Sequence, residues 1–302
     1  MINHFKLILC CSCFIWSCNT AVQEGKTSQK NIKGIYAKPA ASWVKTRVKG
    51  AEERLNITPA GKLVWESIQA HGGLEKWYNN GPLFFRFNYR PLDSIKTVRD
   101  TYQTVDTWSA RAKHYLPENP EVSYGWDGED AWKITGDYNL KMNPRFWSLT
   151  PYYFVSMPFV FSDEGVKLTL FEEGKEFENK IYDLVKITYE ANVGDAPEDY
   201  YIIYINKESH LIDAIRYIVS YPGFFPDGGH SPEKLMTYEN KQRIEGITLA
   251  GKHRTFMYRD DTVQEHVTNI SVTKVAFKPD LESSFFKVPE GGEVLEKLET
   301  AQ

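Results

Sequence analysis

Cysteine is nearly missing from this chain. Its 302 residues hold four, Cys10, Cys11, Cys13 and Cys18, all within the first eighteen positions. Beyond Cys18 there is no thiol, which excludes disulfides, zinc–thiolate sites and cysteine nucleophiles from any folded part. An excess of one charge is missing too. With 36 basic and 40 acidic residues the formal net charge is −4, too small and too well mixed for a nucleic-acid binder. No run of about 20 continuous apolar residues is present to read as a mature membrane span. Nothing resembles a phosphate-binding glycine loop, a zinc-protease helix or a pair of acid–base carboxylates. Three Ser-x-x-Lys matches, Ser42 to Lys45, Ser231 to Lys234 and Ser271 to Lys274, lack the companion motifs of serine–lysine catalysis and read as chance. Neither enzymatic chemistry nor a cofactor is expected.

What is present begins with a targeting segment, Met1 to Ser17. Lys6 supplies a positive start, and Leu7 to Trp16 is an apolar stretch too short to remain as a span. It ends in Ile15-Trp16-Ser17-Cys18, with an aliphatic residue at −3, a small one at −1 and cysteine at +1. This resembles the lipobox of bacterial lipoproteins, in which the cysteine is acylated and becomes the new N-terminus. Trp16 is bulkier than that pattern usually shows, and an ordinary cleaved signal peptide is the alternative. Lipidation at Cys18 implies the envelope of a Gram-negative-type bacterium, with the protein held at the outer membrane and facing the periplasm. Residues 18 to 57 read as anchor and tether. They are polar and lean basic, though Gly34 to Val48 has enough apolar residues for an edge strand.

From residue 58 the pattern becomes that of a folded domain. Thr58 is a good N-cap and Pro59 a good first helical residue; Leu63, Val64, Ile68 and Leu74 follow helical spacing, and Gly72-Gly73 closes the run. From Leu83 the period becomes two: Leu83, Phe85, Phe87 and Tyr89 alternate with Arg86, Asn88 and Arg90. About ten further strand candidates extend to Phe277. Turns at Asp127-Gly128, Glu173-Gly174, Glu245-Gly246 and Asp260-Asp261 separate neighbours by a few residues, which means antiparallel hairpins. The expected fold is mainly β: a curved antiparallel sheet or unclosed barrel, residues 58 to 291, covered by an N-terminal helix and a short helical lid, with residues 292 to 302 a polar tail.

Histidine offers one candidate metal arrangement. A two-residue turn at Asp260-Asp261 would pair 253 with 268 and 255 with 266, placing His253 and His266 on one face as diagonal neighbours roughly 7 Å apart. A metal site wants three or more ligands, and none is nearby, so no metal is expected. His71 lies at a helix C-terminus, where the dipole favours a partly charged ring.

The most unusual stretch is Asn143 to Asp163. It carries Phe146, Trp147, Tyr152, Tyr153, Phe154, Met157, Phe159 and Phe161, with Pro144, Pro151 and Pro158 cutting it into short pieces. Such aromatic area must cover something apolar: an ordinary core, or a cavity to which the stretch is a lid. On the lid reading the ligand-facing residues are Phe85, Phe87, Trp132, Phe146, Trp147, Tyr153, Phe154, Met157, Phe159, Tyr204 and Tyr217.

Three segments carry a family resemblance. Tyr124-Gly125-Trp126-Asp127-Gly128-Glu129-Asp130-Ala131-Trp132, Tyr204-Ile205-Asn206-Lys207-Glu208-Ser209-His210-Leu211-Ile212 and Phe285-Phe286-Lys287-Val288-Pro289 are similar to hairpins and the ending of the outer-membrane lipoprotein-carrier and receptor (LolA/LolB-like) superfamily. The chain looks closer to a broader group of envelope lipoproteins with that fold. The resemblance implies an unclosed barrel with a hydrophobic concave face that accepts acyl chains. The expected activity is binding of a lipid or acylated protein by a membrane-anchored monomer acting as carrier, receptor or sensor. The other reading is an envelope scaffold or glycan-binding lipoprotein with a closed core.

Overall fold

Residues 41–55, expected within the tether, form a helix. In the computed structural model, which describes residues 38–191, 193–196 and 198–296, α1 runs Ala41–Leu55. The chain divides into units Met1–Lys33 and Gly34–Gln302, and every described residue belongs to the second. The signal segment, Cys18 and the tail beyond 296 lie outside the described residues. Val44, Val48, Ala51 and Leu55 recur at helical spacing, and three of them, Val44, Ala51 and Leu55, are buried. The basic residues that suggested a tether occupy the other faces. Arg47 pairs with Asp163 at 2.8 Å and Glu164 at 3.3 Å, and Arg54 donates to the Ser162 carbonyl. The folded part therefore begins before residue 58, and the expected edge strand at Gly34 to Val48 is not formed over 41–48.

Helix α2 (Pro59–Ala70) starts as its sequence dictates, with the Thr58 hydroxyl accepting from the Gly61 amide at 3.1 Å. Gly61 is required there: a Cβ would meet the Leu55 carbonyl oxygen at 2.0 Å. Helix α3 (Leu74–Asn79) follows, with Leu74, Trp77 and Tyr78 buried.

The strands are β1 (Leu83–Pro91), β2 (Arg99–Val105), β3 (Ala112–Tyr115), β4 (Ser123–Trp126), β5 (Ala131–Ile134), β6 (Val166–Phe177), β7 (Lys180–Tyr189), β8 (Tyr201–Asn206), β9 (Ile212–Tyr217), β10 (Lys234–Thr237), β11 (Glu239–Ile244), β12 (Ile247–Arg259), β13 (Thr262–Phe277) and β14 (Glu293–Val294). They form one open antiparallel sheet in the order β14-β5-β4-β3-β2-β1-β13-β12-β10-β9-β8-β7-β6, with β11 also on β12. Two meanders are thus joined where β1 meets β13. Between them lies one long excursion, from β5 beside one edge to β6 at the other. It is made by α4 (Pro144–Val155) and a 3-10 turn, Phe159–Ser162. A sheet of this width coils because each strand twists, and this connection crosses its inner face.

The turns at Glu245-Gly246 and Asp260-Asp261 have positive φ at both positions, the type I′ geometry that tight hairpins need. The expected turn at Glu173-Gly174 is instead strand, with register irregularities, and the β6–β7 hairpin turns at Glu178-Asn179. The tail reading also shifts, since Glu293 and Val294 pair with Lys133 and Trp132.

Two bulges in the β12–β13 pair overturn the histidine geometry. His253 faces Ile270 and Phe256 faces His266. His253 packs edge-on to Tyr238 in the main core, while His266 stacks on Phe256, which packs in a separate cluster with Tyr182, Tyr204 and Tyr258. They are not neighbours. His71 is likewise buried, not partly charged. His71 Nδ1 donates to the Ser67 carbonyl at 3.0 Å, His253 Nδ1 to Thr237 at 3.1 Å, and His114 Nε2 to Ser148 in α4 at 2.8 Å. Burial lowers each of these rings to about 4, outweighing the carbonyl that favours the charged form.

Two predictions follow from this packing. Leu55→Ala should destabilise the domain by about 2–5 kcal/mol in urea denaturation, because it opens a cavity between α1 and α2; a tether residue would change nothing. The second concerns pH. An unfolded histidine takes up its proton near 6.5, whereas the three buried rings do so only near 4. Stability is therefore full above about pH 6.5 and falls toward pH 4, by about 1.4 kcal/mol per pH unit for each ring. His114→Gln should remove roughly a third of that slope. An unchanged slope in the variant would contradict a neutral, buried His114.

Candidate functional site

The three prolines suggest broken pieces, yet Pro144 to Val155 is one helix with Pro151 inside it. Pro144 suits the first position, and the Asn143 side chain caps the Phe146 amide at 3.1 Å. Pro151 has no N–H and crowds the carbonyl four residues back. Side-chain bonds reinforce the same turns: Ser148 Oγ donates to the Pro144 carbonyl at 2.7 Å and Thr150 Oγ1 to Phe146 at 2.6 Å. Tertiary contacts then hold the helix in place. Tyr238 Oη donates to the Phe154 carbonyl at 2.9 Å and touches Met157 Sδ at 3.2 Å, while His114 grips Ser148.

Most of the expected lid residues are packed core. Phe159 stacks on Trp77 at 4.3 Å with planes 6° apart, and Met157 is 2% exposed. Phe85 and Phe87 lie in the same cluster, and Phe154 meets Tyr217 edge-on at 5.2 Å. Trp147 lies against Tyr89 at 5.2 Å, with the Arg99 guanidinium 4.7 Å from its ring centre. These contacts place Met157 and Phe159 inside the packed core.

Two expected residues face the other way. Trp132 pairs with Gly125, which pairs with Lys113, so the three share one face of the sheet. Their neighbours Trp126 and Tyr124 share the inner face. On the outer face Lys113 meets Phe285 of the C-terminal turn. Tyr204 likewise belongs to the outer cluster with Tyr182, Leu184 and Leu235.

The remaining residues do come together around a cavity of about 300 Å³. It opens beside the first half of α4, between that helix and the β7–β8 and β9–β10 loops. Phe146, Leu149, Tyr153 and Phe154 line it from α4; Tyr189, Tyr201 and Val219 line it from the sheet and its continuation. Its volume is at the lower end of ligand pockets, about 300–1,000 Å³. Phe146, Tyr153 and Phe154 were expected; Leu149, Tyr189, Val219 and Tyr221 were missed. A signal existed for Tyr189 and Tyr201, which share the parity of Ile187 and Ile203 on two core strands. None existed for Tyr221, held in a loop by rings of Phe146 and Phe224.

The polar groups sit at one side. Arg145 grips Asp195 with two bonds, of 2.7 and 2.9 Å. Asp199 accepts from the amide and hydroxyl of Ser220 at 2.6 and 2.7 Å, and burial raises its pKa. The Tyr153 and Tyr189 hydroxyls bond each other, and burial holds both rings well above the usual tyrosine range, so both are neutral. These groups form a polar margin to a carbon-rich hollow. Among the described residues no three His, Cys, Asp or Glu side chains gather as metal ligands, and no helix is long and apolar enough to cross a membrane.

Comparisons with known proteins bear on the fold. A family of unknown function, DUF6503, matches residues 127–231, a span that includes every cavity residue except Trp126. No curated protein matches. Among solved structures, a LolA superfamily protein from Nitrosomonas europaea aligns with TM-score 0.50 at 10% identity, over 76% of this chain and 98% of its own. A DUF1329 family protein from Desulfovibrio piger gives the same score and identity, over 76% of this chain and 97% of its own. The open antiparallel sheet, its inner face crossed by the α4 connection, is a LolA/LolB-like fold.

Proposed function

We propose that this chain is a lipid-anchored envelope protein that binds the acyl chain of a lipid or acylated protein in the cavity beside α4, without covalent chemistry. The observation that carries this is the 300 Å³ hollow lined by Phe146, Leu149, Tyr153 and Phe154, on a LolA-like sheet. An apolar hollow open to water gains from any chain that enters it, about 0.8 kcal/mol for each methylene buried. The tyrosines that line it are neutral, and Arg145 is paired with Asp195. The role is that of a carrier, receptor or sensor. Cys18 is the residue that would be acylated, holding a monomer at the outer membrane on its periplasmic side.

Two experiments test this reading. The purified protein should bind a fluorescent fatty-acid probe. Leu149→Trp, which fills the cavity from a half-buried position, should weaken that binding at least about tenfold, as the loss of two buried methylenes would. Tyr36→Asp should leave the binding unchanged. No binding by the wild type, or equal binding by Leu149→Trp, would support a closed envelope scaffold instead. Met157→Asp is not a useful test, because it would break the core. Separately, Cys18→Ala should move the protein from the membrane to the soluble fraction with an unchanged circular dichroism spectrum; retention in the membrane would exclude Cys18 as the anchor.

A further inference from the structure

A second cavity shares no lining residue with the first. It has a volume of about 350 Å³ and lies between the start of β2, the β3–β4 loop and the segment leading into α4. Its lining is more polar than that of the first and carries the charged side chains Arg99, Asp100, Glu118 and Lys141. The Arg99 guanidinium rests 4.7 Å from the Trp147 ring centre and 5.8 Å from that of Tyr89. Nη1 donates to the Thr97 carbonyl at 2.7 Å, and Nε is buried without an acceptor.

No carboxylate answers this cation. Asp100, the nearest in sequence, is held by Arg86 through two bonds of 2.9 and 2.7 Å, and by Asn88 at 2.6 Å. Glu118 lines the cavity but forms no ion pair with Arg99. Among the described residues Arg99 has none. Burial accordingly lowers its pKa, with only the Tyr89 and Tyr124 hydroxyls opposing. A half-buried guanidinium is ordinarily matched by an acid, and rings alone compensate it only in part. Lys141 adds a second cation on the same cavity, and the Asn119 and Asn139 side chains there make no hydrogen bond within the described residues.

We propose that this cavity binds a phosphate group, taken from a lipid headgroup or free in solution. The guanidinium fork matches two phosphate oxygens, Lys141 supplies a point charge, and the two amides donate to the remaining oxygens. The site is independent of the acyl cavity, and its test does not require the acyl ligand.

Calorimetry with inorganic phosphate and with glycerol phosphate, and flotation of the Cys18→Ala form with phosphatidylglycerol or phosphatidylcholine vesicles, distinguish the two sources. Binding of free phosphate with flotation of neither vesicle identifies a soluble anion. Flotation that requires phosphatidylglycerol identifies a headgroup. In either case Arg99→Lys should weaken binding about tenfold, since it loses the paired bonds but keeps the charge. Asn139→Asp, at an exposed position that cannot disturb the fold, should abolish it by placing a carboxylate against the anion. The Trp147 indole resonance should shift during the titration, because Arg99 lies on that ring. Absence of binding in all four assays would overturn the proposal, as would binding unaffected by Arg99→Lys and Asn139→Asp.

Discussion

The structure depends on one connection. The chain must pass from β5, beside one edge of the sheet, to β6 at the other, and α4 with its following turn makes that passage across the inner face. An open sheet of this width has a hydrophobic inner surface that water cannot be allowed to wet. The crossing segment covers it, and its aromatic content follows from that task. Phe159 on Trp77 and Phe154 on Tyr217 are the contacts that join the crossing to the helices on one side and to the strands on the other. α1 reinforces the same assembly, since Arg47 and Arg54 bond to the residues just after the crossing.

The crossing fits closely at its C-terminal half and loosely at its N-terminal half. Met157, Phe159 and Phe161 are almost fully buried, whereas Phe146, Leu149 and Tyr153 border the hollow. The difference has a physical source. The C-terminal half faces α2 and α3, whose side chains interdigitate with it. The N-terminal half faces two loops, which carry fewer apolar groups and seal it with the Arg145–Asp195 pair instead. An ion pair at an opening is weaker than packed carbon, so this end is the less firmly closed of the two.

Cation placement separates the two cavities. Arg145 is neutralised by Asp195 at the margin of the apolar hollow. Arg99 has aromatic rings beneath it and, among the described residues, no ion-pair partner. Both arginines flank the start of α4, Arg145 on the helix itself and Arg99 against Trp147, which meets Phe146 of the apolar cavity edge-on.

Local chemistry in the sequence determined the elements themselves. The Thr58-Pro59 start, the period-two strands and the Asp260-Asp261 and Glu245-Gly246 turns are each set by neighbours a few residues apart, and each formed as read. Only the tertiary structure decided which face a side chain joins. Ala131 and Trp132 are both buried, as are Ile203 and Tyr204, because both sides of the sheet are covered at those points. Alternation then cannot say which is inward, and Trp132 and Tyr204 were misplaced. The two bulges that part His253 from His266 are likewise products of strand pairing. Nor could composition reveal α1: its basic residues suggest a solvated tether, and its spaced Val44, Ala51 and Leu55 gain meaning only when α2 and the sheet supply a surface to bury them. The cavity is the furthest of all from the sequence, because a hollow exists only where distant segments fail to fill the space between them.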